Sequence, residues 1–340
     1  MRTRSILDLG KVAIPAVLLA LTLSACGDSG SSTGTTNTTK ASNSSTSSAN
    51  STKCDGVPGT QLVALEDDKK LQTVDNVIPA INAKAATAPL IAALDKVSAA
   101  LTTEKLVALN KKTDIERATP AAAAKEFATA ENLNTGLSGG SGNITIGAAN
   151  FSENQTLANL YAGVLNAAGF KAKVKTVGNR ELYEPALEKG ELQVVPEYAG
   201  TLTEFLNKKQ NGANAAPKAS GDLNATVTAL TALGGKAGLK FGKPAEAADQ
   251  NTFAVTKGFA DKYSVSKLSD LAAKCGGGLT LGGPPECPKR PFCQPGLEQK
   301  YGLKFTFTAL DAGGPLSKTA LKTGKVALAL VFSSDAALAG

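Results

Sequence analysis

From Ile144 onward the chain alternates short apolar runs with amphipathic ones, the pattern of strands interleaved with helices over a mainly parallel sheet. Ile144–Ile146 reads as a strand. Leu157, Leu160, Tyr161, Val164 and Leu165 recur at helical spacing behind a candidate capping box of Ser152 and Gln155, and Gly169 stops the run. Lys171–Lys175 alternates with period two, as a half-exposed strand does. Glu181–Lys189 reads as helix up to Gly190, and Leu192–Val195 returns as a strand. Further strands are predicted near Thr252–Val255, Leu279–Leu281, Phe305–Thr308 and Val326–Phe332, with helices near Leu268–Lys274, Gly296–Tyr301 and Pro315–Thr323. The text ahead of Ile144 supplies strands at Leu62–Leu65 and Val77–Ile81 and helices near Thr87–Leu101, Glu104–Leu109 and Pro120–Ala130. NLNTGLSGGSGN follows, a linker by composition. Its glycines precede a strand instead of opening a helix after one, which argues against a phosphate cradle.

The first residues carry a different message. Arg2 and Arg4 precede an apolar run from Val12 to Leu23, short for a membrane span, and Ser24 and Ala25 lead into Cys26. Residues 1–25 therefore read as an export signal. Residues 27–53 are almost all Ser, Thr, Asn and Gly, and cannot bury enough apolar surface to offset the entropy of ordering. They form a tether that begins at Cys26, with a coil dimension of roughly 25–30 Å.

The remaining residues are enough for two modest α/β lobes. The formal net charge of +7 is spread along the chain without interleaved aromatic residues, so nucleic acid is not an expected partner. There is no histidine, which excludes Ser-His and Cys-His nucleophiles and His-ligated metals. Beyond Cys26 the four cysteines are Cys54, Cys275, Cys287 and Cys293, an even number for an oxidising compartment. Their positions alone leave three pairings open, along with zinc binding and free thiols, although no C-x-x-C spacing favours the metal. A short Cys287–Cys293 bridge would fix a loop that prolines and glycines already bend.

ITIGAANFSENQ, GNRELYEPALEKGEL, PEYAGT, GGPPECPKRPFC and LDAGGPLSKTALKTG resemble the osmoprotectant-binding proteins that feed ABC importers for glycine betaine, choline and carnitine. The resemblance extends over nearly all of residues 61–340. In such proteins the segment like QLVALEDDKKLQTVDNVIPAINA comes last, whereas here it stands first. The chain thus looks circularly permuted, with the linker at 136–143 joining the old termini, and Gly340 and Thr60 expected to be neighbours. The family implies a type II periplasmic-binding fold, α/β, of two lobes around a cleft. Mapped here, one lobe spans about 76–250 and the other combines 55–75 with 251–340. Leu23-Ser24-Ala25-Cys26 resembles a lipobox, implying a diacylglycerol on Cys26 and an extracytoplasmic, membrane-anchored receptor. Relatives often carry the Cys287–Cys293 bridge, which leaves Cys54 for Cys275. A permease with its ATPase is the implied partner, the ligand a small osmolyte, the state monomeric, and no metal, cofactor or catalytic residue is expected.

A quaternary ammonium offers no N–H and is recognised through aromatic faces, each contributing about 0.5–2 kcal/mol when desolvated. A carboxylate on the same ligand wants cations, hydroxyls or helix-terminal amides. Carried over position by position, the resemblance points to Tyr198 and Thr201 of PEYAGT, Asn251 and Phe253 of QNTFAVT, Arg290 of PKRPFC and Phe332 of LVFSSD. It also points to Asp75 and Asn76 of VDNVIP and to Asn150 and Asn154 of NFSENQ. Thr201 is a candidate helix cap after Tyr198. Tyr183 and Glu184 read as scaffold, and Glu66-Asp67-Asp68 as a solvated turn. Phenylalanine at two box positions keeps a second reading open, a receptor of the same fold for an uncharged or aromatic solute. A carboxylate-dependent extracytoplasmic hydrolase is the remote third, motivated by the acids at 66–68 alone.

Overall fold

The structure is a computed structural model describing residues 52–338. The export signal, Cys26, nearly all of the tether and Gly340 lie outside the described residues.

In chain order the elements begin with β1 (Leu62–Leu65), β2 (Val77–Asn82), α1 (Ala88–Ala100), α2 (Thr103–Asn110) and α3 (Pro120–Ala130). Next come β3 (Asn143–Ala148), α4 (Ser152–Ala167), β4 (Lys171–Thr176), α5 (Arg180–Lys189) and β5 (Val194–Tyr198). Then follow α6 (Ala199–Asn211), α7 (Leu223–Lys236), β6 (Leu239–Phe241), β7 (Asn251–Thr256), α8 (Lys257–Tyr263) and α9 (Leu268–Cys275). The chain ends through β8 (Leu279–Gly283), α10 (Gln294–Tyr301), β9 (Phe305–Ala309), α11 (Pro315–Lys322) and β10 (Leu328–Phe332).

These strands make two five-stranded sheets, ordered β4-β3-β5-β2-β6 and β9-β8-β10-β7-β1. In each sheet the first three strands run parallel and the fourth is antiparallel to both of its neighbours. The parallel core strands are buried on both faces, as a sheet clothed by helices requires. The two sheets thus repeat one topology, with β2 and β7 as equivalent strands. β1, from the front of the chain, holds in the second sheet the place that β6 holds in the first. It is paired with β7, and Leu62 shares a small apolar core with Val326, Ala329 and Val331, against which Leu338 packs.

The front helices complete the first lobe. Leu90, Leu94, Val97, Leu106 and Ala124 join Leu157, Tyr161 and Val164 of α4 in one core over the first sheet. Cys54 is bonded to Cys275 and Cys287 to Cys293, so these thiols are neither free nor metal-bound.

Three local expectations are corrected. Ser152 does not cap α4: Phe151 is the N-cap residue, and the Ser152 hydroxyl donates instead to Asp114 (2.6 Å). Asp67 and Asp68 are more than a solvated turn. Asp67 accepts from the Leu71 and Gln72 amides and the Tyr301 hydroxyl, while Asp68 accepts from Ser269. The polar stretch 199–236, read only as far as a helix start after Tyr198, forms α6 and α7.

Candidate ligand-binding cleft

The wall of the first lobe is organised by a buried ion pair. Arg180, at the start of α5, donates to both carboxylate oxygens of Glu197 on β5, at 2.8 and 2.6 Å. The same carboxylate accepts from the Tyr183 hydroxyl (2.9 Å) and the Tyr198 amide (3.1 Å). Arg180 also donates to the Thr201 hydroxyl (2.9 Å), so α5, β5 and α6 are tied around one guanidinium. Such bidentate pairing suits arginine because its donors form a rigid planar fork.

Asp75 reaches the same wall from the crossover between β1 and β2. Its Oδ1 accepts the amides of Gly200 (2.9 Å) and Thr201 (3.0 Å), capping α6 from a distant part of the chain. Thr201 lies inside the helix and does not cap it. Gly200 is required here, because a Cβ would collide with the Val74 carbonyl and the Thr73 hydroxyl. Burial pushes the Asp75 carboxyl up to about 7, against the pull of Thr201 and Arg180. Between the unfolded value of 3.8 and about 7 only the folded chain holds this proton, so stability falls as pH rises through that window. The loss is on the order of 4 kcal/mol for a shift of this size. D75N keeps the acceptor and has no proton to lose. Its melting temperature is therefore expected to vary less between pH 5 and pH 8 than that of the wild type, in scans at matched ionic strength. Parallel curves would contradict this.

A cavity of about 400 Å³ opens between the lobes. The first lobe contributes Phe151, Arg180, Tyr198, Thr201 and Phe205 to its lining, the second Asn251, Phe292, Leu330 and Phe332, and the crossover between β1 and β2 adds Asp75. Phe151 stands between Tyr198 (ring centroids 6.3 Å) and Phe332 (5.4 Å), so an aromatic cluster crosses from one lobe to the other. The Tyr198 hydroxyl donates to Glu153 Oε1 (2.7 Å). Burial first, then the charges of Glu153 and Asp249, hold that phenol far above its ordinary pKa.

Over residues 55–130 and 142–340 the chain matches the substrate-binding domain of ABC-type glycine betaine transport systems. It belongs to that family. The two-lobed architecture is accordingly the periplasmic-binding-protein fold, and the protein is a substrate-binding receptor of an ABC importer of the glycine betaine type. Such receptors work outside the cytoplasm, and among the described residues no helix is long and apolar enough to cross a membrane.

Of the residues that the family resemblance singled out, Asp75, Asn150, Tyr198, Thr201, Asn251, Arg290 and Phe332 line the receptor's cavity. Phe253, Asn76 and Asn154 do not. Phe253 sits one alternation deeper along β7 than Asn251, paired with Leu65 and Leu330, in the core of the second lobe. Asn76 donates to the carbonyls of Ala245 and Glu246, holding the two crossovers together. Asn154 accepts from the Ala149 amide and donates to the Pro196 carbonyl, which braces the β3–α4 turn. Arg290 reaches across to Glu181 of α5 in a bidentate pair (3.2 and 2.8 Å) from the loop closed by Cys287 and Cys293. Burial acts to raise the Glu181 carboxyl, but Arg290 outweighs it and holds the group below its usual range.

Phe151, Arg180, Phe205, Asp249 and Phe292 also line the cavity and were not singled out. Phe151 directly follows Asn150, and Asp249 stands two residues before Asn251, so adjacency in NFSENQ and strand alternation before QNTFAVT were the usable signals. Tyr183, read as scaffold, lines the cavity and donates its hydroxyl to Glu197. Glu184 is buried and paired with Lys209 (2.6 Å). The acids at 66–68 are absent from the lining, and no residue of that cluster faces a second carboxylate across the cleft.

Proposed function

We propose that this receptor captures a small quaternary-ammonium or zwitterionic osmolyte, glycine betaine or choline, between its lobes and presents it to a membrane permease driven by an ATPase. The observation that carries the reading is the ring cluster Tyr198–Phe151–Phe332, drawn from both lobes and set beside buried carboxylates. Ring faces attract a cation that cannot hydrogen-bond, and closing the lobes on it strengthens that attraction by removing water. The four phenylalanines in the lining, Phe151, Phe205, Phe292 and Phe332, favour a second reading, an uncharged or aromatic solute.

The test is thermal melting of the processed protein against glycine betaine, choline, carnitine and proline betaine, with an uncharged aromatic solute as comparison. Stabilisation by a member of the ammonium panel, rising with its concentration, is the expected result. A flat response to the whole panel removes the ammonium assignment.

Delivery completes the proposal. Cys26 carries a lipid, the Ser/Thr-rich segment gives the lobes slack at the membrane, and the receptor acts as a monomer without metal or cofactor. The lobes divide at about 75/76 and 250/251. The gene order is rotated relative to other members. The place of β1 in the second sheet supports this, as does the gap in the family match at 131–141, where the Gly-rich linker lies.

A further inference from the structure

The pairing of β7 with β10 continues past the strands into a buried acidic site. Phe332 is opposite Asn251, the Ser333 amide donates to the Gln250 carbonyl (2.9 Å), and Ser334 arrives at Asp249. The Ser334 amide (3.1 Å) and hydroxyl (2.7 Å) both meet Asp249 Oδ1, and the same hydroxyl lies 2.7 Å from Glu153 Oε2 on α4. Glu153 further accepts from Asn110 of α2 (2.6 Å) and from Tyr198 of β5 (2.7 Å). A serine hydroxyl carries a single hydrogen. Its two short contacts can both be hydrogen bonds only when at least one of the two carboxyls is protonated, so the pair holds a proton.

The surroundings keep it there. Glu153, Asp249 and Ser334 are at most 4 % exposed, and among the described residues neither acid is in a salt bridge. Lys318 of α11 is engaged by Asp335 (2.7 Å) and Asp114 (3.5 Å). Asp75 offers the Asp249 amide only its backbone carbonyl (3.0 Å), its carboxyl being held at the start of α6. Burial and the charge of Glu153 push the Asp249 carboxyl well up. Asp249 nonetheless lines the cavity, on the same strand edge as Asn251 and Phe332 and beside Tyr198.

We propose that Asp249, coupled to Glu153 through Ser334, sets the receptor's choice between a net cation and a zwitterion. This rests on the ammonium reading above. A ligand of net charge +1, such as choline, drives the shared proton off the pair to solvent, leaving both carboxylates ionised against the cation. A ligand whose own carboxylate cancels its ammonium, such as glycine betaine, leaves the proton in place. Cation binding then strengthens with pH by up to about tenfold per unit while zwitterion binding does not.

The experiment is calorimetric titration of choline and glycine betaine at about pH 6 and about pH 9, reading the ratio of the two affinities at each pH. It is carried out in D75N, which silences Asp75, the cavity carboxyl raised to about 7, and in D75N/D249N. The choline-to-betaine ratio rises several-fold with pH in D75N and stays constant in D75N/D249N. D75N/E153Q also abolishes the shared proton and gives the same constant ratio, which covers a D249N chain that does not fold. A ratio that is flat in D75N, or that rises equally in both double variants, overturns the proposal. Binding of both ligands with a flat ratio removes this inference alone, whereas binding of neither removes the ammonium reading and the inference together.

Discussion

Replacing Arg180 by methionine lowers the stability of the folded receptor by about 3–5 kcal/mol, the loss typical of stranding one partner of a buried ion pair. Glu197 is 1 % exposed and receives both of its strongest hydrogen bonds from that guanidinium. Without it the carboxylate keeps the Tyr183 hydroxyl and the Tyr198 amide, too few donors for a charge so far from water. The defect also frees the Thr201 hydroxyl at the start of α6. For a chain of this size the melting temperature should fall by roughly 5–10 °C in calorimetry at neutral pH. R180M/E197Q, which removes the stranded charge, recovers a large part of the loss. Equal melting of the single and double variants would show that the pair is not what holds the wall together.

Truncating Tyr198 to alanine weakens ammonium binding by about thirtyfold or more, because two contributions disappear at once. The ring face that stands against Phe151 is removed, and Glu153 loses the hydroxyl donor on its Oε1. Y198F separates the two. It retains the ring and gives up only the hydrogen bond, so its affinity for glycine betaine should lie within about fivefold to tenfold of wild type by titration calorimetry. Thermal melts of both variants establish that the lobes are folded. If Y198F bound as poorly as Y198A, the hydroxyl network and not the aromatic face would be the recognising element.

What could be read ahead of the structure follows how locally each feature is encoded. Strands such as Leu62–Leu65 and helices such as α4 and α5 were legible because burial on one face leaves a periodicity in the text. α7 and the extent of α6 were not, since their polar and alanine-rich faces weaken that signal, and α6 takes its cap from Asp75 over a hundred residues away. The ligand cleft was legible through the family phrases and only coarsely. Phe253 shares a strand face with Asn251, and only the tertiary partners Leu65 and Leu330 decide that one ring is core while the neighbouring position faces the cavity. The union of Glu153, Asp249 and Ser334 has no sequence signature. It is created where a crossover, a helix start and the end of β10 converge.

The most direct test of the account is a crystal structure of the receptor grown with glycine betaine. The expected result is a trimethylammonium group against the rings of Tyr198, Phe151 and Phe332, with the lobes closed over it. Ligand density away from these rings, or an empty cleft at saturating ligand, would contradict it.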